Sequence, residues 1–408
     1  MANLLVLYNP ACGAGIAQKV FEKAVLPHLQ DRAPTVVSTT HAGHAGEVVV
    51  DFLREKPGPL TVILGSGDGT LHEIVVALYH AKLSSASQIS VVLVPCGTAN
   101  ALYWSTFPPP EDSPSTLPSL ESSLDLKSSP YLKSLEVFVK SSTTPQTTRT
   151  LTFAVTSLLS QSDAASNTSP GDTSPTNTSI ATVVASTALH ASILHDSEAL
   201  RATHPGIERF KLAAAQNIAR WYNGRVKLYP SAGSAVQLYN PVLKEFQPVN
   251  TGEEGLLLPG PFAYFLSTVN VDRLESAFRI TPLHSPGTAG QTLDVVILRP
   301  KRDKAIVDDG EGSKQAFSQR TMEVLMAAYQ KGAHVDIKYG EDNLQAGDDH
   351  QGILEYFRCG RWEWIPEPHD NPAHLVCVDG EIINIAPSGR AECIATNTIS
   401  NIQISIVA

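Results

Sequence analysis

Leu60–Glu73 reads LTVILGSGDGTLHE. The apolar, β-branched run Thr61–Leu64 stops at Gly65-Ser66-Gly67-Asp68-Gly69-Thr70, and a helical pattern starts at Leu71. Strand, glycine-rich turn and helix N-terminus follow one another directly. Such a junction turns backbone N–H groups and the positive end of a helix dipole toward a phosphate, and the glycines let it come close. Asp68 sets the loop apart from an ordinary anion nest, because a carboxylate between two glycines repels a phosphate. It makes sense there if it takes a proton from an attacking hydroxyl or meets Mg²⁺. On this stretch alone, an Asp tolerated in a tight strand-to-helix turn is an equal reading.

Two further loops of the same kind flank it. Upstream, Leu4–Tyr8 reads as a buried strand, followed by Asn9-Pro10-Ala11-Cys12-Gly13-Ala14-Gly15-Ile16-Ala17 and a helical pattern through Leu29. Downstream, the apolar strand Val91–Val94 ends in Pro95-Cys96-Gly97-Thr98-Ala99-Asn100-Ala101-Leu102. Three strand–Gly loop–helix units place three loops at the C-terminal ends of strands, the edge of an open α/β sheet where ligands bind. None carries the Gly-Lys-Ser/Thr of a Walker A loop, and none matches the Gly-x-Gly-x-x-Gly dinucleotide fingerprint.

With 408 residues, 42% of them hydrophobic, the chain can bury a sizeable core and divides into two domains. A net charge of −10 argues against a nucleic-acid partner, which calls for a basic face. No run of about 18 apolar residues is present, so no membrane span is expected. Met1–Leu7 has no basic n-region and reads as a strand rather than a signal peptide. Five cysteines without a Cys-x-x-Cys suit reduced thiols in the cytosol better than disulfides or zinc.

The βα alternation runs to about Ser105, and Phe107–Ser119, with Pro108-Pro109-Pro110, breaks it. Leu135–Lys140 and Thr150–Val155 read as strands joined across polar Ser141–Thr148. Ser160–Ser179 is Ser/Thr/Asn/Asp-rich and too poor in apolar residues to pack, which predicts a disordered surface insertion. After a helical region at Ser197–Tyr222 come mostly strands: Arg225–Tyr229, Ala235–Tyr239, Ala263–Val269 and Leu293–Leu298. Gln319–Lys331 reads as a helix and Leu375–Ile385 as paired strands. The expected architecture is an α/β nucleotide-binding domain over residues 1–135. A mainly antiparallel β-sandwich domain follows over 136–408, interrupted at about 160–179.

Taken in order, the motifs resemble the catalytic domain of the diacylglycerol kinase and sphingosine kinase superfamily. They are Asn9-Pro10 with Gly13 and Gly15, then Thr39-Thr40-His41-Ala42-Gly43-His44-Ala45, then Gly67-Asp68-Gly69-Thr70-Leu71-His72-Glu73, then Pro95-x-Gly97-Thr98-x-Asn100-Ala101-Leu102. The likeness resumes at Asp196-Ser197-Glu198-Ala199-Leu200-Arg201 and Glu208-Arg209-Phe210, both similar to sphingosine kinase segments, and at Asp379-Gly380-Glu381. The resemblance implies ATP and Mg²⁺ as cofactors and a lipid alcohol as acceptor. It makes Asp68 the catalytic base and metal contact. Asn9, Pro10, Ala11, Thr39, Thr40, His41, Ala42, Gly43, Ser66, Gly67, Gly69, Thr70 and Glu73 fall on the nucleotide side. So do Thr98, Ala99, Asn100, Arg201, Arg209, Asp379, Gly380 and Glu381. The two arginines would neutralise the triphosphate, since guanidinium forks suit phosphate oxygens. For several of these the residue alone has an ordinary use: Glu73 as a first-turn acid, Asn100 as a helix cap, Asp379-Gly380 as a hairpin turn.

The chain also departs from the family pattern. Ala14 stands where Lys or Arg is common, and Ala99 where Gly is usual. The acceptor stretch has Ser192 and Leu194 where sphingosine kinases carry acidic residues; Ser192, Leu194 and Glu198 are the candidate substrate contacts. The expected activity is ATP-dependent phosphorylation of the primary hydroxyl of a sphingoid long-chain base. Alternatives are a diacylglycerol or ceramide kinase, an NAD kinase-like enzyme, and a non-catalytic lipid- or nucleotide-binding relative. A cytoplasmic protein attached peripherally to membranes is the expected setting.

Overall fold

The computed structural model describes residues 3–83, 87–109, 119–141, 147–160, 178–204, 206, 208–252, 254–284, 291–340, 343 and 350–408. Four parallel strands begin it: β1 (Asn3–Tyr8), β2 (Thr35–Ser38), β3 (Leu60–Ser66) and β4 (Ser87–Pro95), ordered β2-β1-β3-β4. The near-continuous apolar sequences of β1, β3 and β4 follow from burial of both faces, whereas β2 is a largely exposed edge strand. Leu5, Leu7, Val62 and Leu64 meet α2 (His44–Glu55) and α3 (Asp68–Ala81) on one side. Val6, Ile63 and Val92 meet α1 (Ala17–Val20) and α5 (Lys133–Lys140) on the other. A short helix between them, α4 (Ala101–Thr106), follows the third glycine loop.

Two local expectations are corrected here. The helical pattern up to Leu29 is α-helical for one turn only, then continues as a π turn, Phe21–Val25, and a 3₁₀ turn, Leu26–His28. Pro27 lies in that last turn and has no N–H to extend a regular ladder. Leu135–Lys140, read as a strand, lies in helix α5. Its charges explain why: Lys133 and Lys140 both pair with Glu136, at spacings of three and four that only a helix makes neighbours. Leu135 and Phe138 then share the buried face.

The remaining strands are β5 (Thr148–Thr150), β6 (Phe153–Leu159), β7 (Thr178–Ala181), β8 (Val184–Thr187), β9 (Gly224–Tyr229), β10 (Gln237–Asn240), β11 (Glu245–Pro248), β12 (Leu256–Pro259), β13 (Tyr264–Thr268), β14 (Leu293–Leu298), β15 (Glu355–Cys359), β16 (Arg361–Pro366), β17 (Leu375–Val378), β18 (Glu381–Asn384), β19 (Arg390–Thr396) and β20 (Ile402–Val407). Two antiparallel sheets, β11-β10-β15-β14-β13-β8-β17-β18 and β12-β9-β16-β19-β6-β7, face each other. Phe265 of β13 meets Trp362 and Trp364 of β16 with ring centres 5.1 and 5.7 Å apart, which fills the space between the layers. Helices α6 (Ala188–Ala199), α7 (Glu208–Asn217) and α8 (Glu311–Ala328) cover this domain.

The mainly antiparallel second domain is as expected, but the two domains do not divide at a single cut near residue 135. β20 pairs in parallel with β4, and β5 pairs with β20, so both belong to the first sheet. Of the insertion expected at 160–179, residues 161–177 lie outside the described residues. Thr178 and Ser179 are not surface loop: they are buried in β7, paired with β6. No helix among the described residues is long and apolar enough to cross a membrane.

Candidate active site

The three glycine loops pack on one another. A Cβ added at Gly97 would lie 2.3 Å from the Gly67 Cα, and one at Gly13 would lie 2.3 Å from the Cys96 carbonyl oxygen. Only glycine permits contacts this close, so these residues lock the loops together. Gly69 differs, since a Cβ there meets nothing within 4 Å. Protein packing does not require glycine at that position, whereas close approach of a ligand would. In the first loop Asn9 closes an Asx turn by accepting the Ala11 N–H at 2.9 Å, with Pro10 between them. In the third, Asn100 has a left-handed backbone, and its side chain binds both the N–H and the carbonyl of Gly97. Its side chain therefore shapes the loop rather than capping α4. Thr98 is exposed beside it and Ala99 half-buried.

Asp68 opens α3, and its carboxylate is clamped by the next helix. Oδ2 accepts the Ala101 N–H at 2.8 Å, and Oδ1 accepts the Leu102 N–H at 3.1 Å. The N-terminus of α4 thus aims the carboxylate while leaving further lone pairs on both oxygens. Burial is the largest influence on its acidity and raises the pKa to about 6, with the Asp379 charge adding to it; the two N–H groups pull the other way. The neighbouring hydroxyls are turned inward: Ser66 and Thr70 are buried and bond to each other. Glu73 is half-buried one turn further along α3.

Four residues after Asp68, His72 ties this helix to the second domain. Nδ1 lies 2.9 Å from the Ile180 carbonyl oxygen of β7, and Nε2 lies 3.3 Å from Glu381. Ser179 also donates to Glu381, and the Asp379 carboxylate is 4.0 Å from His72. Burial works to lower the His72 pKa, but the Glu381 hydrogen bond and the charges of Asp379 and Glu381 outweigh it and hold the pKa raised. Asp379 is enclosed: it accepts the N–H groups of Thr182, Val183 and Val184 and the Thr182 hydroxyl. Its backbone is left-handed at φ 47°, and Gly380 follows at φ 99°. The Asp-Gly-Glu hairpin is thereby set beside Asp68. His72 was not singled out in the sequence, although a spacing of four from Asp68 puts both on one helix face.

The second loop forms its own cluster. Thr39 is buried beside β1, and the Thr40 N–H donates to His44 Nδ1 at 3.1 Å. His41 stacks on His44 and pairs with Glu47, while Ala42 is exposed and Gly43 begins α2 at φ 84°. Arg201 and Arg209 lie on the α6–α7 corner, both paired with Glu198, at 2.7 and 3.3 Å. No hydrogen bond or ion pair joins them to the glycine loops among the described residues. Ser192 is buried, its hydroxyl turned toward the equally buried Tyr222 hydroxyl, and neither makes a well-formed hydrogen bond. Leu194 packs with Ala191, Leu375, Cys377 and Ile382.

A cleft of about 780 Å³ lies between the domains. Ala14 and Ile16 of the first loop, Gly97 and Thr98 of the third, and Trp104 line one side. Asp272, Arg273, Arg279, Tyr329 and Lys331 line the other. It shares Pro95 and Asn100 with the narrow crevice that Asp68, Ser66 and Gly67 line, so the cleft adjoins the buried carboxylate. Asp272 holds Arg273 in a two-pronged pair, with its oxygens 2.8 and 2.9 Å from Nε and Nη2, and also binds Arg279. The only signal of this cluster in the sequence is its charge within an otherwise apolar stretch. No group of three or more His, Cys, Asp or Glu among the described residues could hold a metal ion. Mg²⁺ in phosphoryl transfer usually needs only one or two carboxylates beside phosphates and water. A single carboxylate such as Asp68 is enough protein ligand for a Mg²⁺ of that kind.

Residues 3–125 match the diacylglycerol kinase catalytic domain family. Over 135 residues the chain is 32% identical to sphingoid long chain base kinase 5 of Saccharomyces cerevisiae, covering 30% of this chain and 19% of that protein. It is 34% identical over 103 residues to sphingosine kinase 1 of Mus musculus, covering 24% of this chain and 26% of that one. The chain thus spans about a fifth to a quarter of the curated relatives it matches. Among solved structures, a diacylglycerol kinase from Bacillus anthracis aligns with 99% of this chain and 96% of its own at 11% identity and a TM-score of 0.49. A candidate diacylglycerol kinase from the same organism covers 98% of this chain and 94% of its own at 13% identity and a TM-score of 0.52, a likeness of fold.

Proposed function

We propose, for a chain whose N-terminal domain is of the diacylglycerol kinase catalytic family, that it is an ATP-dependent lipid kinase acting on the primary hydroxyl of a sphingoid long-chain base. The observation that carries the chemistry is Asp68: a carboxylate with a pKa near 6, oriented by two N–H groups at the glycine-loop edge of the sheet and adjoining a large cleft. In the ionised form it would take the proton of the acceptor hydroxyl as the oxygen attacks the terminal phosphate, the work a general base does in phosphoryl transfer. Mg²⁺, bound with the nucleotide, would neutralise phosphate charge, and Asp68 would be its protein contact. The exposed backbone at Gly69 and the α3 N-terminus would receive the phosphates.

A second reading, a neutral acceptor such as diacylglycerol or ceramide, is favoured by one feature. Ser192 and Leu194 bring no carboxylate to the acceptor stretch, and the nearby Asp196 and Glu198 are engaged by Asn217 and by the two arginines. An ammonium head group shielded from water needs a carboxylate partner, and an amide or ester does not. Phosphate transfer from radiolabelled ATP to sphingosine, dihydrosphingosine, ceramide, diacylglycerol and NAD separates the readings. Sphingosine as the best acceptor is the expected outcome. Preference for ceramide or diacylglycerol selects the second reading, and transfer to NAD alone or to nothing overturns both.

A further inference from the structure

We propose that the outward face of α8, with the loop meeting its C-terminal end, is the surface on which this protein sits on a lipid bilayer, and that this surface opens into the cleft. Helix α8 buries Phe317, Thr321, Val324 and Ala328. Roughly opposite, within about 60° of one another at 100° per residue, stand Met322, Met326 and Tyr329. They are 42%, 52% and 45% exposed, large values for apolar side chains. The chain has three methionines, and apart from Met1 both lie on this face. Flexible thioethers suit an irregular lipid surface, and tyrosine suits its polar boundary.

What identifies the occupant is where the face leads. Tyr329 ends the stripe and also lines the cleft, together with Lys331 and exposed Ala277. Its ring meets Phe278 with centres 4.8 Å apart, extending the apolar rim onto the neighbouring loop. The charged residues lining the cleft are Arg273, Arg279, Lys331 and Asp272; Asp272 pairs with both arginines, which leaves an excess of two positive charges in a chain of net charge −10. The acids nearest the face are Glu275 beside Tyr329 and exposed Glu323 on α8, which pairs with Arg320. An apolar rim backed by local positive charge complements a bilayer carrying anionic head groups. A protein partner of matching shape would not need an entrance to the cleft, whereas a lipid leaving the bilayer would. The docking surface stands on its own observations; delivery of the acceptor through it rests on the lipid kinase reading.

Cosedimentation with phosphatidylcholine vesicles containing phosphatidylserine tests the surface. The Met322→Glu/Met326→Glu double variant should bind these vesicles about tenfold more weakly than the native protein. The milder Met322→Gln/Met326→Gln variant should show a smaller loss in the same direction, and unchanged melting curves would exclude misfolding. Val242→Glu/Leu243→Glu alters equally exposed apolar residues at the β10–β11 turn and should bind as the native protein does. Activity on vesicle-borne acceptor should fall with binding, while activity on a short-chain soluble acceptor stays unchanged. Failure of the native protein to bind vesicles, or undiminished binding by both α8 variants, overturns the proposal. So does a native dimer that the α8 changes split into monomers without altering vesicle binding, since the face would then serve a second copy. Loss of vesicle binding in a protein that phosphorylates none of the acceptors would uphold the surface while rejecting the kinase reading.

Discussion

On the kinase reading Asp68 acts both as a base and as a buried charge in the fold, and pH separates the two. Its pKa near 6 means the ionised base is depleted below that value, so kcat/KM should fall on the acid side with a limb centred near pH 6. In stability the sign is opposite. A carboxylate whose folded pKa is raised contributes stability fully below its unfolded value, about 3.9, and loses it as pH rises through 6. Asp68→Asn removes that buried charge but sets its amide NH₂ against one of the two N–H groups of α4. These effects oppose each other, so the melting temperature at pH 7.5 should shift by only a few degrees while turnover drops roughly 10²–10⁴-fold. Unchanged turnover would make Asp68 an ordinary turn residue. His72, one turn further along the same helix and facing the second domain, is the matching test at the interface. Its raised pKa makes its contribution complete below about pH 6.5 and lost as pH rises through the folded value. His72→Phe should lower stability by roughly 1–3 kcal/mol in urea melts at pH 5.5, with a smaller difference at pH 8.5. Equal losses at both values would mean that His72 serves only to fill space.

Between elements, the three glycine loops act as one unit, and two substitutions in them should behave oppositely. Gly97→Ala would press a methyl group onto the Gly67 backbone, so it should lower the melting temperature and weaken nucleotide binding together. Gly69→Ala points into open space at a helix start, where alanine is the better helix former, so the fold should keep or gain stability. If phosphates lie against that turn, the KM for ATP should nevertheless rise several-fold; an unchanged KM would move the phosphates elsewhere. These loops were legible because strand, Gly-rich turn and helix are each local patterns, and local chemistry dictates them. The Leu135–Lys140 helix was not, since a short apolar stretch fits either period until Glu136 is seen between two lysines. The hold of Asp379 on the chain was not legible, because the N–H groups it accepts belong to residues nearly two hundred positions earlier. The cleft cluster Asp272–Arg273–Arg279 escaped for the same reason: its meaning comes from which loops the fold sets opposite it.

At the scale of the molecule, the chain closes on itself. β20 inserts between β4 and β5 in the first sheet, and Ile402, Ile404 and Ile406 are fully buried there. Ser134 of α5 donates to the Val407 carbonyl and accepts the Leu93 N–H, so helix, β4 and β20 are tied by one buried hydroxyl. The first domain is therefore completed by residues that follow the whole sandwich, and the sequence of β20, which alternates over Ile402–Ile406, gives no hint of its partner. Burying each isoleucine is worth about 2 kcal/mol, so the strand contributes roughly 5 kcal/mol or more, comparable to the whole stability of an average domain. A protein lacking residues 400–408 should consequently lose the first domain while the sandwich, whose strands pair without β20, stays folded. Hydrogen exchange would show this as unprotected amides in β1, β3 and β4 beside protected ones in β13, β14 and β16. Fragment 1–141 made alone should likewise show no cooperative melt. If instead that fragment folds, or the truncated protein keeps protection in β4, then β20 merely lines the edge of a sheet that is complete without it, and the two domains can be separated after all.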